Sequence, residues 1–341
     1  MRPGKISDSV LKRSVLKKIK TRRSEVLNGA GVGEDCAIFA PLDACMVTCV
    51  QEASVPAGAD MSRLIIKCAN NLAASGAEPI AVLLAINLMP EAPEELLKGL
   101  MEAAEETCGE LHIQIAGGHT AVSPYVTQPL VTVTAYGRAE ADRALPTWNV
   151  GPGQDIVVTK WIGLEGTAIL ARRMRQELSE RYPEFLVEEA AGLDRYLSIL
   201  PEAALATKSS VCAMHDVSEG GIFGALWELA ESAGVGLIID LKKLPIRQET
   251  VEVCEFCGVN PYTLLSGGSL LIAAEDGSAL AAELGAAHIP AAVVGRTTDS
   301  HDRLILNGEE KRYLDKPQAD EIYRFMGQQG HPAAALASDL V

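Results

Sequence analysis

Met61-Ser62-Arg63-Leu64-Ile65-Ile66-Lys67-Cys68-Ala69-Asn70-Asn71-Leu72-Ala73-Ala74-Ser75-Gly76 runs straight into Ala77-Glu78-Pro79-Ile80-Ala81-Val82-Leu83-Leu84-Ala85-Ile86-Asn87-Leu88-Met89. The first segment carries Met61, Leu64, Ile65, Cys68 and Leu72 at intervals of three and four, the spacing of one helix face. Gly76 is placed to end that helix, because glycine tolerates the left-handed backbone of a helix C-terminus. The second segment, Pro79–Met89, is apolar without alternation, as in a strand covered on both faces. A helix that turns at one glycine into a buried strand is a unit of a mixed sheet protein.

The same alternation continues outward. Met46–Val50, Ile80–Leu88, Leu130–Tyr136, Asp155–Thr159, Gly236–Asp240 and Ser269–Ala273 read as strands. Glu94–Cys108 reads as a helix with Leu97, Met101, Ala104 and Cys108 on one stripe, and Ile222–Ala233 as another with Ile222, Leu226, Leu229 and Ala233. The class is α/β (α+β). With 341 residues, about two domains are expected at roughly 100–200 residues each. Turn formers at Arg143–Gly153 place the boundary, giving domains at 1–145 and 150–315 with a tail at 316–341, poorly ordered after Gly330.

Composition excludes several classes. Apolar residues make up 48% of the chain and charged residues 22%, which rules out disorder and collagen. A net charge of −15 argues against a general nucleic-acid binder. Residues 1–23 nevertheless hold nine Lys/Arg and one Asp; a membrane or RNA contact would suit them, but a solvated N-terminal helix or arm is the simpler reading. The Pro79–Met89 run falls far short of the ~20 residues that span a bilayer, and Leu11–Arg23 does not read as a signal peptide. Eight cysteines at irregular spacings make no disulfide framework and point to the cytoplasm.

Three Gly-Gly pairs lie at the edges of expected elements: Gly117-Gly118, Gly220-Gly221 and Gly267-Gly268. Each serves a tight turn or a loop that aims amide N–H groups at a phosphate, and Gly220-Gly221 opens a helix whose dipole favours an anion. Glu34 and Asp35 sit in a glycine-bounded loop, either an exposed acidic turn or ligands for a hard cation such as Mg²⁺. Asn70 and Asn71 interrupt an apolar helix and need partners, whether a ligand or a buried network. His119 is a phosphate donor, a base or a loop residue. His215-Asp216 resembles a dyad, although neighbours in sequence rarely face each other, and a loop is expected. Cys254 and Cys257 form a lone Cys-x-x-Cys; thiols used as small apolar residues fit it better than zinc or redox chemistry.

Taken in order, these segments resemble the superfamily of aminoimidazole ribonucleotide (AIR) synthase, HypE, selenophosphate synthetase and thiamine-monophosphate kinase, over nearly the whole chain. Gly33-Glu34-Asp35-Cys36-Ala37 is similar to the family's Gly-Asp-Asp-Ala-Ala loop. Asn70 to Pro79 is similar to Asn-Asp-Leu-Ala-x-x-Gly-Ala-x-Pro, and Gly117-Gly118-His119-Thr120 to Gly-Gly-(acid or His)-Thr. Thr159 to Leu170 and Met214 to Gly221 are most similar to the HypE-like branch. The resemblance implies a PurM-like two-domain fold, with the N-terminal sheet pairing with its copy in a homodimer and a C-terminal α/β domain. It implies ATP with Mg²⁺ as cofactors. Lys5, Asp35, Asn70, Asn71, Gly117, Gly118, Thr120, Glu219, Gly220 and Gly221 are then nucleotide-binding; Glu34, Asp35 and Glu52 hold the metal; His119, His215 and Asp216 are catalytic.

The departures shape the expected function. The family's Asp in the Asn-Asp pair is Asn71, and its Thr-Asp segment reads Val47-Thr48-Cys49-Val50-Gln51-Glu52, leaving Glu52 as the nearest carboxylate. The chain ends Ser338-Asp339-Leu340-Val341, where the resemblance to HypE implies a substrate-carrying cysteine, so chemistry on that thiol is not expected. The expectation is a HypE-like ATP-binding protein that activates an unknown oxygen-bearing small molecule or maturation substrate. The alternative is a nucleotide-binding regulatory paralogue with little turnover.

Overall fold

The computed structural model describes residues 4–5, 10–28, 30, 38–39, 44–140 and 143–328. Backbone contacts divide the chain into two units. Among the described residues, the first takes the chain up to Leu72 together with Ala77–Ala144; the second takes Ala73–Gly76 and residues 145–328. No helix among the described residues is long and apolar enough to cross a membrane.

The first unit contains, in chain order, β1 (Gly4–Lys5), β2 (Val26–Asn28), β3 (Ile38–Phe39), β4 (Cys45–Ser54), α1 (Gly58–Ala74), β5 (Glu78–Leu88), α2 (Glu94–Glu110), β6 (Gln114–Val122) and β7 (Leu130–Ala139). Its five-stranded sheet has the order β1-β6-β5-β7-β4, with β5 and β6 parallel and the other pairs antiparallel. The parallel pair needs a crossover, and α2 supplies it. The expected stripe of Leu97, Met101, Ala104 and Cys108 is buried, with Leu100 added. The apolar run becomes β5 at the centre of the sheet. Ile80, Val82, Leu84, Ile86 and Leu88 are buried, while Leu83, Ala85 and Asn87 are only half-buried.

The basic N-terminal segment is not simply solvated. Its helical turn Leu11–Leu16 and the residues after it lie along the acidic side of α2. Arg13 Nε donates to Glu94 at 2.6 Å, Lys18 pairs with Glu102, and Glu105 accepts from the backbone of Lys20 and from both the backbone and hydroxyl of Thr21. Val15 and Ile19 are buried beneath.

The second unit contains β8 (Asp155–Thr159), α3 (Leu164–Arg173), α4 (Arg175–Arg181), α5 (Glu184–Ala191), α6 (Leu200–Ala206), β9 (Val211–Val217), α7 (Gly221–Ala233), β10 (Gly236–Asp240), α8 (Gln248–Cys257), β11 (Ser269–Ala274), α9 (Gly277–Ala286), β12 (Ala291–Thr298), β13 (Arg303–Asn307), β14 (Glu310–Tyr313) and α10 (Glu321–Gln328). Its seven-stranded sheet has the order β14-β13-β10-β12-β8-β11-β9. Alternation along β8 shows why both faces need helices: Ile156 and Val158 pack with Ile222, Leu226 and Leu229 of α7, whereas Val157 packs with Ala203 of α6 and Leu280 and Leu284 of α9.

Two expectations are corrected. His215-Asp216 lies within β9 rather than in a loop. The segment taken as tail holds α10, whose Ile322, Phe325 and Met326 are buried. The stretch after Gly330 lies outside the described residues.

Candidate functional site

In the first unit, Asn70 is buried and Asn71 half-buried near the end of α1. Strand β4 meets α1 through a thiol: Cys49 Sγ donates to the carbonyl of Cys68 at 3.4 Å. Side chains alternate along a strand, so Gln51 shares the α1 face with Cys49 while Glu52 points the other way. Glu52 accepts from the Thr132 hydroxyl at 2.6 Å on that outer face. Glu52, expected to help hold the metal, thus lies on the face away from α1, and the strand position that faces α1 is the neutral Gln51.

His119 also lies on the outer face. The register runs Glu52 to Thr132, Thr132 to Ala85 and Ala85 to His119, which separates Glu52 and His119 by three strand spacings, about 14 Å. Gly117, Gly118 and Thr120 sit inside β6 with His119, not in a loop. Gly118 has φ +144°, and a Cβ there would run into the backbone of Leu84 on β5, so close strand approach accounts for this glycine. Lys5 pairs with Ala121 at the edge of the sheet. Glu34 and Asp35 lie outside the described residues.

In the second unit, His215 and Asp216 are consecutive residues of β9, and His215 also meets α7. Its Nε2 lies 2.9 Å from Glu228 of α7. Burial opposes the charged imidazolium, but the hydrogen bond to Glu228 and the charges of Asp216 and Glu228 outweigh it and raise the His215 pKa.

Glu219, Gly220 and Gly221 join β9 to α7, as the sequence placed them. The amides at this helix start already have partners in the chain. Gly220 N donates to Asp320 Oδ2 at 2.7 Å, Gly221 N to the Ser218 carbonyl at 3.2 Å, and Phe223 N to the Tyr262 carbonyl at 3.1 Å. Gly221 has φ +62°, and a Cβ there would stand 2.7 Å from Tyr262 O and 2.8 Å from Leu264 O. Any side chain at this position disturbs the backbone before it reports on a ligand.

Three residues that the sequence did not single out gather around this loop. Asp320 immediately precedes α10, is 2% exposed, and accepts from the amides of Gly220, Leu265 and Ile322. Tyr323 donates its hydroxyl to Glu219 at 3.0 Å. Burial, then Glu219, pushes the Tyr323 hydroxyl up to about 12, and Glu165 adds to the shift. Glu165 is fully buried in the first turn of α3, directly over Gly267. Its signal in the sequence was an acid among the apolar residues of the Thr159–Leu170 segment.

Two consecutive domain patterns match the chain: the N-terminal domain of AIR synthase related proteins over residues 31–139 and the C-terminal domain over 151–307. The chain belongs to the AIR synthase-related family. Its relatives include the hydrogenase expression/formation protein MJ0676 of Methanocaldococcus jannaschii, 28% identical over 334 residues, or 94% of this chain and 96% of that one. The carbamoyl dehydratase HypE of Rhodobacter capsulatus is 28% identical over 251 residues, 72% of each chain. Among solved structures, the hydrogenase maturation protein HypE in complex with ATP superposes with a TM-score of 0.72, covering 91% of this chain and 94% of that one at 17% identity. The fold is PurM-like and HypE-like.

In this AIR synthase-related chain, burial pushes the thiol of Cys254 up to about 12 and that of Cys257 up to about 11. No group of three His, Cys, Asp or Glu suited to a metal occurs among the described residues.

Proposed function

We propose that this chain is a HypE-like, ATP-binding member of its family that activates an oxygen-bearing small molecule or maturation substrate with the help of ATP. The supporting observation is a match running nearly end to end with hydrogenase-maturation relatives, one of which has been solved with ATP bound. The first unit takes the nucleotide. Asn70 and Asn71 carry amide donors and acceptors on α1, the strand facing that helix carries Gln51 on its α1 side, and Asp35 of the Gly33–Ala37 segment would add charge.

The fold family implies Mg²⁺, but the described donors do not fit it well. Mg²⁺ is held through hard anionic oxygens, whereas Asn70, Asn71 and Gln51 present neutral amides on the α1 side. That neutral donor set also favours the second reading, a nucleotide-binding paralogue with little turnover, because charge on a transferring phosphoryl group would be weakly neutralised.

Calorimetry with ATP, with and without Mg²⁺, followed by an ADP-release assay, separates the readings. We expect binding that changes by less than about threefold on removing Mg²⁺, and Asn71→Asp to raise that dependence to about tenfold or more. Loss of all ATP binding removes both readings. Rapid Mg²⁺-dependent hydrolysis unaffected by Asn71→Asp removes the second.

We also propose a homodimer through the outer face of the first sheet. Val50 there is 61% exposed and Met46 57%, next to half-buried Leu83 and Ala85. Sedimentation of the intact chain at micromolar concentration should give twice the chain mass, and Val50→Lys should halve it. A monomer in the unmodified chain rejects the dimer.

A further inference from the structure

The polar side of α1 carries more than its amides. Three residues of this helix are charged, Asp60, Arg63 and Lys67, which leaves it one positive charge in excess. Arg63, Lys67 and the Asn70-Asn71 pair recur at intervals of four and three, so they line one stripe beside the apolar face of Met61, Leu64, Cys68 and Leu72. Arg63 is 7% exposed and committed within the helix: it donates to Asp60 Oδ1 at 3.2 Å, while Asp60 Oδ2 accepts from Ala57 N at 3.1 Å. Lys67 is half-buried, three and four residues before the Asn pair. That places it about 4.5–6 Å from them along the axis, so one phosphate chain can lie against all three.

The strand opposite adds no charge, because the positions of β4 on the α1 side are Val47, Cys49 and Gln51. At Cys68, Cys49 and then burial raise the thiol's pKa, while the Gln51 backbone and the charge of Lys67 partly offset them. The lysine's field is thus felt where α1 meets Gln51. Amides there can satisfy the hydrogen bonds of a phosphate, but they neutralise none of its charge.

We propose that Lys67 is the counter-cation of this site, taking the charge of a polyphosphate held by the Asn70 and Asn71 amides where the family's pattern would place carboxylate-held Mg²⁺. The proposal rests on the reading that the Asn pair serves the nucleotide. Carboxylates gather a metal, and the metal gathers phosphate; a lysine meets phosphate directly, as a point charge on a flexible stem. Carboxylates in place of Asn71 and Gln51 would compete for the ammonium themselves. The two neutral positions and the cation one turn away therefore belong to one design.

Calorimetry of the full chain with ATP and with inorganic tripolyphosphate, each in EDTA and in Mg²⁺, tests this. In EDTA, Lys67→Gln should weaken both probes by about tenfold or more. The loss should shrink when Mg²⁺ accompanies the probe, because the metal then carries the charge. Lys67→Arg should stay within about threefold of the unmodified chain, and Lys67→Gln should flatten the fall of affinity with NaCl. A helix merely disturbed by the substitution would lose affinity with its salt dependence unchanged and would gain nothing from Mg²⁺, and that result rejects the proposal. Should Lys67→Gln fail to fold, Lys67→Met carries the same comparison. ATP bound equally by Lys67→Gln and by the unmodified chain rejects Lys67 and leaves the nucleotide reading intact. Tripolyphosphate binding that needs Lys67, in a chain that takes no ATP, supports Lys67 and rejects the nucleotide reading. No binding of either probe rejects both.

Discussion

The two ends of the described chain are both tied down by carboxylates, but the physics of the ties is opposite. Along α2, Glu94 and Glu102 meet Arg13 and Lys18 at the surface, charge against charge. At the Gly220 loop, Asp320 is buried and meets only backbone amides. In the first case the protein side chain of opposite sign holds the acid ionised: Arg13 keeps Glu94 well below the usual carboxylate range, and Arg23 brings Glu25 down to about 2. In the second, burial dominates and the acid titrates late. An arm fastened by exposed ion pairs is a local, screened attachment. A helix fastened by the buried Ile322, Phe325 and Met326 is held chiefly by its apolar face, while the charge of its buried acid works against the docking.

The largest test of that contrast is the apolar face of α10. Phe325 is 4% exposed, and truncating a buried aromatic removes both transfer free energy and packing. Phe325→Ala should lower the stability of the second unit by about 3–5 kcal/mol in urea unfolding. A loss below about 1 kcal/mol would mean that α10 is only loosely docked and that the contrast fails.

Acid should move the two ends in opposite directions. Asp320 has a folded pKa of about 6, raised from 3.8. The folded state therefore binds its proton more tightly than the unfolded state does, so docking of α10 weakens as pH rises from about 4 to 6 and is flat above. The full span amounts to at most about 3 kcal/mol. Glu25, lowered from 4.5 to about 2, behaves in the reverse sense: its contribution is present above 4.5 and is lost as pH falls toward 2. Exchange protection, corrected for the intrinsic pH dependence of the chemistry, should rise at 321–328 between pH 7 and 4.5 while staying constant at 18–25. A parallel response at both ends would show that one titration, not two, governs them.

How much of this was legible depends on how far apart the partners lie in the sequence. Helices α1, α2 and α7 and strands β5, β8 and β10 follow from periods of 3.6 and 2 within single segments, and their limits were read to within a few residues. β6 was missed because Gly117-Gly118 looks like a turn, when the requirement is close approach to β5. Gln51 and Glu52 are neighbours, and only the contact of Cys49 with α1 decides which one faces the Asn pair; a one-residue shift in register exchanges their faces. Asp320 was hidden for the plainest reason. Its partners Gly220 and Leu265 lie 100 and 55 residues away, and no local pattern encodes them. The basic arm was visible as charge, yet its docking needed the Glu stripe of α2 to be recognised as its complement.

The smallest expected effect is at the arm itself. Arg13 forks onto Glu94, with Nε at 2.6 Å from one carboxylate oxygen, but half of its side chain remains exposed. Removing it leaves Glu94 with the Ser14 hydroxyl at 2.6 Å and Lys98 at 3.3 Å, so the acid is not stranded. Val15 and Ile19 stay buried beneath the arm and keep it in place. Arg13→Ala should therefore shift the urea midpoint of the first unit by a small fraction of what Phe325→Ala does to the second. At 1 M NaCl, where the screening length falls to about 3 Å, even that small difference should vanish, because the unmodified arm has already lost the attraction. The Phe325→Ala effect should persist at the same salt concentration. An Arg13→Ala loss as large as that of Phe325→Ala, or one indifferent to salt, would make the arm a structural element of the same kind as α10 and collapse the distinction between the two ends.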